Sequence, residues 1–192
     1  MTVRERVLDA AQVVIEDSGW STVTMVGLAA RAGVSRQTVY NEFGTKHGLA
    51  EQLALRELQR FLDVVRDRMV QESDLVEGIR AACEGVLLVA EQSLLVRTIV
   101  GAGAAPEDND AGLLKILTTD SGEIVESAVI VVKESLLALY PPTPLTDAEL
   151  QVAVEVVVRL VLSAITRPSK PAAEAAAEIA WMMGLALRGA TL

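Results

Sequence analysis

The sequence predicts an all-α chain of about nine helices. Apolar residues recur at the three-and-four spacing of a single helix face through most of its 192 positions. Two stretches open on a Thr-x-x-Glu capping box, Thr2 with Glu5 and Thr146 with Glu149, in which side chains and main-chain amides satisfy one another. No stretch carries a convincing strand pattern, and there is no internal repeat or low-complexity tract.

The first helix opens at Thr2 and repeats Val3, Val7, Leu8, Ala11, Val14 and Ile15 on one face. Ser18-Gly19 ends it, because glycine takes a left-handed cap at little cost, and Trp20 is expected to wedge into a small three-helix core. Thr24 begins the second helix, with Val26, Leu28, Ala29 and Ala32 as inner positions. Gly33 makes a turn, and Ser35 caps the third helix by accepting from its first amides. There Val39 and Phe43 should point inward, leaving Arg36, Gln37, Tyr40 and Asn41 outside. Gly44-Thr45 breaks the chain before a long helix from Lys46 to about Gln71. Leu49, Leu53, Leu58, Phe61, Val65 and Met69 form its stripe, and it should span roughly 39 Å at 1.5 Å per residue.

Further helices are expected over 75–91, 93–100 and 113–117, with a small, acidic, mobile loop over 101–110. A strongly apolar helix over 121–139 is stopped by Tyr140-Pro141-Pro142. Behind Thr146 the chain reads LQVAVEVVVRLVLSAIT, apolar on nearly every side and so buried on two faces. Its valines favour a strand, but its length, its caps and the Glu155–Arg159 pair at i,i+4 favour a helix. Pro168 ends it, and Ser169 should cap a last, alanine-rich helix that permits close helix approach.

The segment Leu28 to Lys46, LAARAGVSRQTVYNEFGTK, carries the chemistry. Two short helices meeting across a glycine turn form a helix-turn-helix, whose second helix fits the DNA major groove and reads base edges. Glutamine and asparagine bond adenine in bidentate fashion and arginine does so with guanine, each worth roughly 1–3 kcal/mol of discrimination. The net charge of −9 looks unsuited to this until it is divided. Residues 1–48 hold five basic and five acidic side chains, and the remainder holds 12 basic and 21 acidic. A neutral reading head should bind random DNA weakly, because non-specific affinity comes mainly from phosphate neutralisation.

Other function classes fit poorly. Half the residues are hydrophobic and the mean hydropathy is +0.37, yet Lys133 and Glu134 interrupt one long apolar stretch and Glu155 and Arg159 the other. The N-terminus lacks an apolar signal core, so no membrane partner and a cytoplasmic location are expected. Cys83 and His47 are the only residues of their types. They cannot make a disulfide, a zinc cluster or the usual triads, so neither enzyme activity, a metal nor a cofactor is expected. The surplus hydrophobicity is read as a helical core, a partner interface and an apolar cavity.

The run Gly27 to Leu49, GLAARAGVSRQTVYNEFGTKHGL, resembles the TetR family of bacterial repressors. Ala29, Ala32-Gly33-Val34-Ser35, Tyr40, Phe43, Lys46 and Leu49 carry the likeness, which covers about residues 3–60. The resemblance implies an all-helical homodimer, with a DNA-binding domain at 1–48 and a larger ligand-binding and dimerisation domain at 49–192. It implies that Arg36, Gln37 and Asn41 read bases in a palindromic double-stranded operator, while Thr24, Tyr40 and Lys46 contact phosphate. Ser35, Thr38, Thr45 and His47 complete the candidate DNA-binding set. Relatives often place an acidic residue where this chain has Gly27 and Gly48. Two helix N-termini would then keep amides open to phosphate, which substituting Glu at Gly48 would test. Glu42, where relatives often have histidine, should point away from DNA toward Arg31 or Lys46.

The resemblance further implies a small-molecule inducer, here apolar or amphipathic, that shifts the long helix and releases a repressor. Candidate ligand contacts are Phe61, Val65, Arg97, Glu126, Val129 and Trp181. Candidate dimer contacts on the last two helices are Val154, Val158, Val161, Ile165, Ala176, Ile179 and Met183. They would hold two recognition helices one DNA turn apart, about 34–36 Å. The alternatives are a constitutive DNA-binding dimer without inducer, and a small-molecule carrier or enzyme that retains a helix-turn-helix.

Overall fold

The computed structural model describes residues 1–93, 96–97, 122–141 and 143–190, the side chain of Glu123 excepted. Among these residues it is all-helical: α1 (Val3–Ser18), α2 (Met25–Ala32), α3 (Arg36–Phe43), α4 (Lys46–Met69), α5 (Leu75–Gln92), α6 (Gly122–Leu139), α7 (Asp147–Thr166) and α8 (Ala172–Gly189). A single 3-10 turn, Trp20–Thr22, joins α1 to α2. The expected helices at 93–100 and 113–117 and the loop at 101–110 lie almost wholly outside the described residues.

Two compact units share α4, the division falling after Glu57. The first contains α1 to α3 and the opening half of α4. Its core gathers Val7, Ala11, Trp20, Leu28, Val39, Phe43, Leu49 and Leu53. Leu49, Ala50, Leu53 and Ala54 are buried there, and for that reason the unit extends past the start of α4. The Thr2 box forms: the Glu5 amide donates to Thr2 Oγ1 at 3.2 Å, and the Thr2 amide to Glu5 Oε2 at 2.6 Å. In α2 the inner stripe is Met25, Leu28, Ala29 and Ala32, and Val26 is exposed. With Thr24 as N-cap, the stripe starts one residue earlier than the sequence implied.

The second unit holds the rest of α4 with α5 to α8. Its α5 packs on α8 and α6 on α7, around a core that includes Met69, Ile79, Val129, Leu136, Leu150, Val154 and Ala176. The valine-rich segment is helical throughout α7, opened by the expected Thr146–Glu149 capping box. Pro171, not Ser169, occupies the N-cap of α8, with no side-chain cap bond. No helix among the described residues is long and apolar enough to cross a membrane.

Candidate nucleic-acid interface and apolar cavity

Local chemistry builds the α2–α3 pair. Thr24 Oγ1 accepts from the Gly27 amide at 3.1 Å, and Ser35 Oγ from the Thr38 amide at 3.1 Å. Gly33 closes α2 in a left-handed conformation (φ 65°, ψ 40°). Val39 and Phe43 are buried, so Arg36, Gln37, Tyr40 and Asn41 are displayed on the exposed side. Two of the displayed amides are already joined: Gln37 Nε2 donates to Asn41 Oδ1 at 2.8 Å. The pair therefore offers Gln37 Oε1 as an acceptor and Asn41 Nδ2 as a donor, one combined edge rather than two separate ones. The Ser35 and Thr38 hydroxyls are also paired, at 2.8 Å.

At the start of α4 the expected phosphate groups have protein partners. Thr45 Oγ1 accepts from the Gly48 amide at 3.1 Å. Lys46 Nζ donates to the carbonyls of Trp20 at 2.9 Å and Ser21 at 3.4 Å, and lies 4.7 Å from the Trp20 ring centroid. His47 Nε2 stands 3.3 Å from Glu51 Oε1. A Cβ on Gly48 would fall on the Phe43 carbonyl oxygen. Glycine at 48 is thus explained by close packing of main chain, and Gly48→Glu would report a clash before any charge effect. Glu42 points neither at Arg31 nor at Lys46. It pairs with Arg4 at 3.3 Å, which also donates to Gln52 Oε1 at 3.1 Å, while Arg31 pairs with Asp17.

Sequence reasoning missed Arg56, which ties α4 to α1. Its guanidinium donates to Asp9 Oδ1 at 2.6 Å, Gln12 Oε1 at 2.8 Å and the Leu8 carbonyl at 3.2 Å. These partners lie more than forty residues away, so no local pattern reveals them.

The second unit holds a cavity of about 100 Å³. Leu58, Phe61, Leu62, Val65 and Met69 of α4 form one wall; α5, α6, α7 and Met183 of α8 supply the others. Among the described residues every lining side chain is apolar, Cys83 included, and burial pushes its thiol up to about 12. Of the expected ligand contacts, Phe61 and Val65 line the cavity and Val129 is buried in the same core. Arg97, Glu126 and Trp181 are exposed and line none of it. Charge and indole are solvated on outer faces instead.

The seven expected dimer contacts are also relocated. Val154, Val158, Val161, Ile165 and Met183 line the cavity, and Ala176 and Ile179 are buried in the core. A helix apolar on all sides does not reveal in its sequence which stripe its own chain covers, and these seven positions lie on the inward one. The outward stripe carries Val152, Val156, Trp181, Met182 and Leu185, all exposed. Of these, Val152, Val156 and Met182 border a groove of about 610 Å³ between α7 and α8.

Comparison with known proteins agrees with this architecture. Residues 7–53 match the family model described as bacterial regulatory proteins, tetR family, and residues 74–184 the bacterial tetracyclin repressor C-terminal domain. The chain is 31% identical over 179 residues to the HTH-type transcriptional regulator AlkX of Mycobacterium tuberculosis, covering 93% of this chain and 82% of the relative. Among solved structures, the TetR family repressor AlkX from Dietzia sp. strain DQ12-45-1b, implicated in biodegradation of n-alkanes, superposes with a TM-score of 0.79 at 26% identity. That match covers 96% of this chain and 97% of the other. Thermus thermophilus FadR, a TetR family repressor in complex with lauroyl-CoA, shares the fold: TM-score 0.62 at 19% identity, over 94% and 92% of the two chains. This chain therefore belongs to the TetR family of DNA-binding transcriptional regulators, with α2 and α3 as its helix-turn-helix.

Proposed function

We propose that the chain is a homodimeric repressor, released from a palindromic operator when an alkyl chain enters the second unit. The carrying observation is the cavity wall: among the described residues it is formed by twenty side chains, none of them charged or hydroxyl-bearing. Such a site offers an occupant only apolar burial, at about 0.8 kcal/mol per methylene, roughly a fourfold gain in affinity for each. A polar head, where one exists, stays outside. The relatives named above, one tied to n-alkane degradation and one holding lauroyl-CoA, support an aliphatic ligand.

Volume then couples binding to movement. Drug-sized ligands occupy pockets of roughly 300–1,000 Å³, well above the 100 Å³ found here. A longer chain enters only by parting α4 from α6 and α7. Because α4 follows the recognition helix α3 across Gly44-Thr45, moving α4 disturbs the DNA-reading end. The ligand acts to the extent that it favours the parted arrangement over the closed one. Arg36, the Gln37–Asn41 pair and Tyr40 would face the operator, and the outward stripe of α7 and α8 a second copy. The small volume equally favours a constitutive dimer without inducer. Fluorescence polarisation with the gene's own upstream duplex, with and without decane or dodecanoate, separates the two: release by either supports induction, and unchanged binding supports the constitutive reading.

A further inference from the structure

Beside Met69 and Leu136 of the cavity lining, a single side chain ties the end of α4 to the end of α6. Met69 of α4 and Leu136 of α6 both line the cavity, and Tyr140 lies one turn beyond Leu136, its amide donating to the Leu136 carbonyl at 2.9 Å. The Tyr140 hydroxyl donates to the Met69 carbonyl at 2.6 Å, with the Glu72 carbonyl at 3.1 Å. Its ring packs against the core containing Met69, Ile79 and Leu136. From the other side Gly78 of α5 approaches so closely that a Cβ there would fall on the tyrosine hydroxyl. Burial, with Glu72 and Asp74 nearby, raises the Tyr140 pKa, so the hydroxyl remains a donor at neutral pH.

We propose that Tyr140 sets the length of alkyl chain this cavity accepts, by locking the last turn of α4 onto the end of α6. This rests on the reading that the cavity takes an alkyl chain. The α4 residues lining it run from Leu58 to Met69, about 16 Å at the helical rise, so a growing chain extends along the helices toward Met69 and Leu136. The methionine side chain is flexible and yields readily. Its main chain does not, because Tyr140 holds the carbonyl. A chain that reaches past this point must break the hydroxyl's bonds, and hydrogen bonds of that kind impose roughly tenfold discrimination when lost without replacement.

The test measures affinity against chain length for wild type and Tyr140→Phe, without DNA, using saturated fatty acids from octanoate to octadecanoate and the matching n-alkanes. Wild-type affinity should climb with length and then drop. In Tyr140→Phe the drop should move to longer chains by at least one ethylene unit, with about a tenfold gain for the first rejected chain and little change for shorter ones. Gly78→Ala crowds the hydroxyl from α5 and should shift the drop in the same direction. A purely structural tyrosine would lower the melting temperature and leave the length profile in place, and that result in both variants overturns the proposal. A wild-type chain that binds none of the probes overturns the alkyl-chain reading and this proposal with it, a failure visible before any variant is made.

Discussion

Lys46 and Trp20 are joined twice, through the ammonium's bond to the Trp20 carbonyl at 2.9 Å and its position 4.7 Å from the ring centroid. The first residue of α4 is thereby fastened to the 3-10 turn between α1 and α2, and the indole beneath it is 3% exposed. A lysine placed by family resemblance among phosphate contacts serves here to close the small core of the first unit.

Lys46→Met should accordingly destabilise the chain by about 1–2 kcal/mol, the combined scale of a cation–π contact and its hydrogen bonds. Operator binding should keep its salt dependence. A phosphate contact would instead reduce the log–log salt slope by about 0.9 per site. Thermal unfolding and binding over a salt series distinguish these outcomes.

The Gln37–Asn41 bond at 2.8 Å joins the two amides into one edge, which is proposed to face the operator as a unit. Gln37→Ala and Asn41→Ala should each weaken operator binding by about 1–3 kcal/mol. The double variant should lose clearly less than their sum, because residues in one hydrogen-bonded network are not additive. Strictly additive losses would show that the amides read separately.

What was legible in the sequence was what local chemistry decides. The α2–α3 turn, the Ser35 cap, the inward Val39 and Phe43 and the Thr146 box all follow from residues within a few positions of each other. What was hidden depends on distance or on phase. Lys46 meets Trp20 across 26 residues and Arg4 meets Glu42 across 38, contacts that only the fold creates. Met25 rather than Val26 opens the α2 stripe because it stands three and four residues before Leu28 and Ala29, on the same helical face. In α7 the apolar residues surround the axis, so no moment separates Val154, turned into the cavity, from Val152, turned to solvent.

Cys83 supplies a reporter for the cavity. Its thiol is 5% exposed and its pKa is pushed from 9.0 to about 12 by burial, which lowers the thiolate fraction at neutral pH by roughly a thousandfold. Labelling by a disulfide-forming reagent should be correspondingly slow in the native chain and fast in denaturant. A bound alkyl chain should slow it further. Rapid native labelling would mean that the wall opens freely.

The outward stripe of α7 and α8 is the surface proposed to meet a second copy. Val152 and Trp181 are each 62% exposed, and Val156, Met182 and Leu185 are exposed on the same two helices, apolar surface of the kind that marks an interaction site. Trp181→Glu should therefore give a monomer in sedimentation while melting near the wild-type temperature measured at low concentration. Val154→Ala opens space in the core, where Val154 is 2% exposed, and should cost stability, about 1–3 kcal/mol for a core truncation of this size, without changing the mass of the particle. Because one operator half-site needs one recognition helix, the Trp181→Glu monomer should also lose the steep affinity for a full palindrome while retaining weak half-site binding. If Trp181→Glu sediments as a dimer and Val154→Ala does not, the pairing surface is the inward stripe after all, which would require α7 and α8 to turn about their axes on association.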